Sequence, residues 1–349
     1  MQHIFYVIFI FAIFLSIYFI IRRAINGRQV YRPVDFTEEP DPHGENKFPN
    51  WPVPPNVLET EVYRFITAGE VKAQKAHRTR HGISGAKKIT AFFPALEREV
   101  TFKWKVSPKN FDNYNNSIAR EVATYQIQKL FLESEDYVVP TSLAFCSAQD
   151  KHKRVVGPCF KPNIKGSTCV FGNASVWMQD VHIPEVLYEE SRFLSEPNYA
   201  YYLSNFNILT YLVAHRDARR SNLLVSNEDQ RRQVFIIDNS SNFGTIPYNY
   251  FVTNWNIIRV PSLRQASVDR LRKIKRENIN LLGVVAQLDK DNDGIFRNVQ
   301  PGTNLDPEIP VRVHGGIVQF GLTKSQIDDV WDRLQKLLVE VDSDKIPTF

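Results

Sequence analysis

The sequence predicts an α+β protein with its short strands in the first half, its longer helices in the second, and one transmembrane helix in front. Three observations carry this. Residues 89–93 and 99–106 read as strands separated by a short turn. Residues 200–214 and 323–341 repeat apolar side chains at helical spacing, with Leu203, Phe206, Leu209 and Val213 on one stripe and Ile327, Val330, Leu334, Leu337 and Val341 on another. Residues 4–21 form an apolar run broken only by Ala12 and Ser16, with no charge.

That run of eighteen residues is near the lower limit for crossing a bilayer core of ~30 Å. No Lys or Arg precedes it and no small-residue cleavage pattern comes after it, so a retained anchor over residues 1–28 fits better than a cleaved signal peptide. Arg22, Arg23 and Arg28 lie directly after the run, which places the rest of the chain on the cytoplasmic side, with the membrane as a partner through residues 4–21. Residues 29–56 are rich in proline and read as an extended linker, or as a strap against the domain that begins near Val57.

Composition bounds the rest. With 349 residues, 43% of them hydrophobic and 23% charged, the chain is of ordinary globular make-up. A net charge of +5 without a basic run interleaved with aromatics gives no support to a nucleic-acid partner. The three cysteines, Cys146, Cys159 and Cys169, lack metal-ligand spacing, and their odd number suits a reducing compartment.

The chemistry concentrates in residues 215–225 and 234–238. Asp217 stands on a tight loop, Asn222 comes five residues later before an apolar strand, and Asp238 ends a second apolar strand. An amide and an acid on neighbouring strand ends can hold a divalent metal against phosphate oxygens, while the first acid orients a hydroxyl for in-line attack. Upstream, Gly82 and Gly85 lie in a turn whose backbone N–H groups could approach phosphates; such a turn is otherwise an ordinary hairpin. Lys103 and Lys105 project from one face of the second strand, because side chains alternate along it. Both could equally be solvated strand lysines. Ser117 can cap a helix over residues 117–132, with Glu121 one turn in, where an acid is also favoured by the helix dipole alone.

In this order the residues resemble the catalytic core of the protein-kinase-like superfamily. The run from His215 through Arg216 and Asp217 to Asn222 has the spacing H-R-D-x-x-x-x-N, and residues 100–103 have the form of the third-strand V-A-I-K. The resemblance covers residues 57–345 and implies a two-lobed fold, with a small β-rich N-lobe carrying one helix and a larger, mainly helical C-lobe. The N-lobe and hinge would span residues 57–181 and the C-lobe residues 182–349. It implies ATP with magnesium, or manganese in its place, and transfer of the γ-phosphate to a hydroxyl of a protein, lipid or small molecule. Lys103, in preference to Lys105, would hold phosphates, and Glu121 would orient it. Asp217 would position or deprotonate the acceptor, and Asn222 and Asp238 would ligate metal. Met178 would lie at the hinge beside adenine. Asp-Phe-Gly is absent: Asp238 is followed by Asn239, as in atypical branches. The alternative is a kinase-fold binding module without phosphotransfer.

Two further segments carry weaker signals. Residues 263–288 are expected to be helical, with a basic patch at 270–276. Asp289, Asp291 and Asp293 with Gly294 resemble the start of an EF-hand loop, but position twelve is Gln300, with Pro301 next to it. An acidic surface turn is the simpler reading.

Overall fold

In a computed structural model of the chain, the described residues are 30–36, 60, 73–78, 86–94, 97–107, 116–156, 167, 169–178, 180–227, 233–244 and 255–349. They form an α+β structure with three antiparallel sheets. The first sheet comprises β1 (Ala73–Arg78), β2 (Lys87–Phe93), β3 (Arg98–Val106), β4 (Ser142–Ala148) and β5 (Cys169–Val176), in the order β1-β2-β3-β5-β4. Alternation along β2 and β3 turns Ile89, Ala91, Phe93, Val100, Phe102 and Trp104 into one apolar layer. Lys103 and Lys105 therefore share the other face. Gly172 on β5 allows this packing, since a Cβ there would collide with the Lys105 carbonyl and lie 2.6 Å from the Phe145 ring.

Helix α1 (Ile118–Gln128) starts at Ser117, whose hydroxyl accepts from Arg120 N at 3.4 Å. Its Ile118, Ala119 and Val122 join Phe171 of β5 in an apolar cluster, while Glu121 is buried on another side of the helix. A short helix α2 (Gln149–Val156) comes directly after β4.

The main core surrounds α4 (Pro197–Leu212), which is preceded by α3 (Glu190–Ser195). Pro197 opens α4, where its missing N–H costs nothing. The expected single stripe is too narrow: every residue from 199 to 212 is buried, as for a helix surrounded by protein. Next to it lies a three-stranded sheet of β6 (Val181–His182), β7 (Leu223–Ser226) and β8 (Val234–Ile236).

The expectation of a mainly helical C-lobe is corrected by residues 263–320. The helix expected over 263–288 is divided into α5 (Gln265–Arg272) and α6 (Arg276–Asn280). After Gly283 the β-branched pair Val284 and Val285 leads into β9 (Ala286–Lys290). This strand belongs to a four-stranded sheet, in the order β10 (Phe296–Val299), β9, β12 (Ile317–Phe320), β11 (Val311–His314). Helix α7 (Lys324–Asp342) closes the chain with the expected capping box, Thr323 accepting from Gln326 N and Gln326 from Thr323 N.

Residues 30–36 lie against the domain, while residues 51–55, for which the strap was expected, lie outside the described residues. Tyr31 Oη donates to Ile258 O at 3.1 Å, and the Phe36 ring meets Phe349 edge-on at 5.3 Å.

Two further expectations are overturned. Among the described residues no helix is long and apolar enough to cross a membrane. The apolar helix α4 has sixteen residues, short of the ~20 a span requires, and the nineteen-residue α7 carries charges along its length. Residues 4–21, on which the transmembrane expectation rested, lie outside the described residues. The single-pass membrane assignment and the cytoplasmic placement drawn from it are withdrawn. The second correction concerns redox state: Cys146 and Cys169 are joined as a disulfide across β4 and β5, their Cα atoms 5.6 Å apart. Such bonds persist in oxidising surroundings, so the reducing compartment inferred from an odd cysteine count does not stand.

Candidate functional site

Four separated segments deliver the candidate residues: β3, α1, the 215–222 loop and the end of β8. Backbone bonds tie the last two together. Ile237 N donates to Asn222 O at 2.9 Å, while Ile236 N of β8 donates to Val138 O, ahead of β4, at 2.7 Å. Two residues after β8 ends, Asp238 takes a left-handed conformation, with φ 62° and ψ 57°. Asp tolerates this region better than most residues, but it is still sparsely populated. The bend aims the carboxylate at β3.

There Asp238 Oδ1 accepts from two ammonium groups, Lys103 Nζ at 3.2 Å and Lys105 Nζ at 3.1 Å. Lys105 is fully buried and also donates to Ser240 Oγ at 3.3 Å. Glu121 Oε1 lies 3.9 Å from Lys105 Nζ. The expected pair of Glu121 with Lys103 is therefore revised, and Lys105 is the lysine that Glu121 faces. The other Glu121 oxygen, Oε2, accepts from Asn239 N at 3.1 Å, so the turn after Asp238 is tied to α1.

Electrostatics reflect this packing. Burial by itself would raise the Asp238 carboxyl, but Lys103 and Lys105 hold it well below the usual carboxylate range. Burial pushes Glu121 upward, only partly countered by Lys105 and Lys103. Burial would lower the Lys103 ammonium, yet Asp238 and Glu121 keep it raised.

Asp217 and Asn222 form a second group. Asn222 Nδ2 donates to Asp217 Oδ2 and to Asp217 O, each at 2.9 Å. Arg219 Nε stands 3.4 Å from Asp217 Oδ1. Burial raises the Asp217 carboxyl, against the pull of Arg219 and Asn222. His215 sits beneath, buried, its Nδ1 accepting from Asp217 N at 3.2 Å. Burial pushes its imidazole down to about 3, outweighing the nearby Asp238, so the ring is neutral and fit to accept that bond.

Among the described residues, Asn222 Oδ1 and Asp238 Oδ2 accept no hydrogen bond, leaving two oxygen donors of the type hard divalent cations take.

Other expected positions fall out differently. Gly82 and Gly85 lie outside the described residues. Met178, expected beside adenine, is buried in the main core. Its neighbour Trp177 lies under Lys88, whose Nζ is 4.8 Å from the ring. Asp291 is engaged locally in the β9–β10 turn, accepting from Asp293 N, Ile295 N and Arg297 Nε. Among the described residues no group of three or more His, Cys, Asp or Glu side chains is placed to hold a metal ion, in this turn or elsewhere. The sequence reading missed Asn239 and Ser240. A signal was present, because a polar run of four residues directly after an apolar strand, all buried, must find its hydrogen bonds inside the protein.

In comparisons with known proteins, no family model and no curated protein matches the chain.

Proposed function

We propose that this protein is an ATP- and metal-dependent phosphotransferase of the protein-kinase-like type, passing the γ-phosphate to a hydroxyl. One observation carries the reading. Lys105, Glu121 and Asp238 meet in one charged cluster, and the Asp217–Asn222 pair is bonded to the same strand end through Ile237. Residues from four segments converge in this way at a cost. Burying two lysines and two acids is expensive unless each charge is compensated, and an unstrained apolar core would serve stability as well.

The roles rest on the contacts. Lys105, fully buried and held by Glu121 and Ser240, would supply a fixed positive charge behind the phosphate site. Asn222 and Asp238 would hold the divalent ion, which supplies charge neutralisation at the phosphates when bound. Asp217 is turned by Asn222 and Arg219 so that its carboxylate keeps a fixed direction toward an acceptor hydroxyl. Its upward shift makes it a better proton acceptor than an exposed aspartate. His215 fixes the Asp217 backbone.

The test is twofold. ATP with magnesium should raise the melting temperature of the full chain well above ATP alone, and radiolabelled γ-phosphate should appear on an acceptor from a panel of hydroxyl compounds and proteins. No stabilisation at millimolar nucleotide with metal present would sink the proposal. Stabilisation without transfer would favour the binding-module alternative.

A further inference from the structure

The turn that carries Asp238 has strained backbone at both ends. Asp238 and Phe243 are left-handed, with φ 62° and 55°, a region that a side chain as bulky as phenylalanine rarely enters. Such a conformation persists only where the surroundings over-determine it. Here Phe243 N donates to Val213 O at 2.9 Å, and Gln326 Nε2 of α7 donates to Phe243 O at 3.2 Å. Between the two strained residues lie Asn239, Ser240, Ser241 and Asn242, all buried.

Asn242 uses both of its amide hydrogens. Its Nδ2 donates to Asn239 Oδ1 at 3.2 Å and to Thr124 Oγ1 of α1 at 3.0 Å. The Thr124 hydroxyl directs its own hydrogen to Arg120 O at 2.8 Å, so its oxygen is free to accept from Asn242. Thr124 stands three residues after Glu121, on the same side of the helix. Glu121 Oε2 accepts from Asn239 N, so α1 meets the turn through two side chains one helical turn apart. The Thr124 contact is neutral and stands outside the charged cluster.

We propose that Thr124 and Asn242 are positioning residues: their buried hydrogen bond locks α1 against the 238–243 turn and so keeps Glu121 on Lys105. The lock deepens the phosphotransferase reading and rests on it only for its catalytic consequence. A single bond to the Glu121 carboxylate would let the helix pivot about that point. The second bond, one turn further along α1, removes this freedom. The helix is thereby a fixed part of the site, assembled by the fold itself.

The test compares Thr124→Val, which keeps the shape and removes the hydroxyl, with Thr124→Ser, which keeps the hydroxyl. Lys105 is fully buried, so its acylation by an amine-reactive ester reports opening of the site in the full chain without added nucleotide. Mass spectrometry of the Lys105 peptide reads the rate. Phe193→Ala, in the main core, is the control at matched stability, because global unfolding exposes Lys105 equally in both proteins. Thr124→Val should raise the Lys105 rate on the order of tenfold above that control, the factor typical for a lost buried hydrogen bond, and Thr124→Ser should behave as the parent. Should Thr124→Val fold poorly, Asn242→Ala removes the same bond from the other side. A rate in Thr124→Val equal to that of the control, or equal loss in the valine and serine variants, would overturn the proposal. Turnover is the second readout: kcat should fall in Thr124→Val and recover in Thr124→Ser. A parent chain without turnover would dispose of the phosphotransferase reading, while the Lys105 rates would still decide for or against the lock.

Discussion

Lys105 Nζ lies 3.9 Å from Glu121 Oε1, both side chains almost without solvent exposure, while Lys103, beside the same Asp238 carboxylate, keeps 19% of its side chain exposed. The difference sets their contributions to stability. Lys105→Met removes the partner of a buried acid, a change that typically costs ~3–5 kcal/mol when the other charge is left behind. Because Glu121 can take up a proton, we expect the lower end of that range. Lys103→Met should cost about 1 kcal/mol or less, as for a partly exposed pair. Urea unfolding of both variants checks the order; equal costs would contradict the assignment of Lys105 as the inner lysine.

Asp217 and Asp238 separate by role. Asp217→Asn should keep MgATP affinity while phosphotransfer falls by ~10²–10⁴-fold, the usual worth of a proton-transfer step. Asp238→Asn should weaken the magnesium dependence of nucleotide binding as well, because it removes charge beside the phosphates. The reverse pattern would exchange the roles. Full activity in both variants would remove this site from consideration.

Much of this was legible in the sequence because it is local. Ser117 and the Thr323–Gln326 box announce helix starts through side chains that bond backbone within one turn. The spacing of Asp217 to Asn222 likewise encodes a contact made inside one loop. The choice between Lys103 and Lys105 was not legible, since residues two apart on a strand share a face and only the position of α1 decides which one meets Glu121. The β9–β12 sheet escaped notice for a related reason. Its strands have four or five residues each and are completed by pairings such as Val318 with Leu288, thirty positions apart, which no local pattern reports. The polar run 239–242 was visible, but its bonds to Glu121, Thr124 and Lys105 depend on distant elements.

Acid should destabilise the fold through His215. Its folded value of about 3 lies below its ordinary 6.5, so the unfolded chain binds the proton more readily. Stability is therefore complete above pH 6.5 and is lost progressively as the pH falls from there toward 3. One such proton gives a slope of about 1.4 kcal/mol per pH unit within the window. His215→Phe should flatten the profile by that amount, with a pH-independent loss from the orphaned Asp217 N–H. An unchanged slope would mean that the ring is not held neutral.

The Cys146–Cys169 bond closes a sequence separation of 23 residues, a loop for which cross-linking contributes about 3 kcal/mol. Under denaturing, non-reducing conditions, alkylation should modify Cys159 and spare the other two cysteines. After reduction all three should react, and the melting temperature should fall. Modification of all three before reduction would rule the bond out.

The four-stranded sheet and the site should prove linked through α1. Phe296 on β10 packs against Phe171 of β5 with ring centroids 5.1 Å apart, and Asn298 Nδ2 donates to Ala144 O on β4 at 3.2 Å. Ile118, Ala119 and Val122 of α1 belong to the same cluster. The helix is thus held between this sheet and the Lys105–Asp238 group that its Glu121 reaches. Phe296→Ala should cost ~3–5 kcal/mol, as for other buried phenylalanines. So should Phe193→Ala, which opens a cavity in the main core around α4. Phe296 shares its cluster with Ile118, Ala119 and Val122 of α1, whereas the ring neighbours of Phe193 are Tyr188 and Phe349. At matched stability, reached by adjusting temperature, Phe296→Ala should reduce the melting shift produced by MgATP while Phe193→Ala leaves it unchanged. Equal shifts in the two variants would show that the sheet stabilises the chain without positioning Glu121.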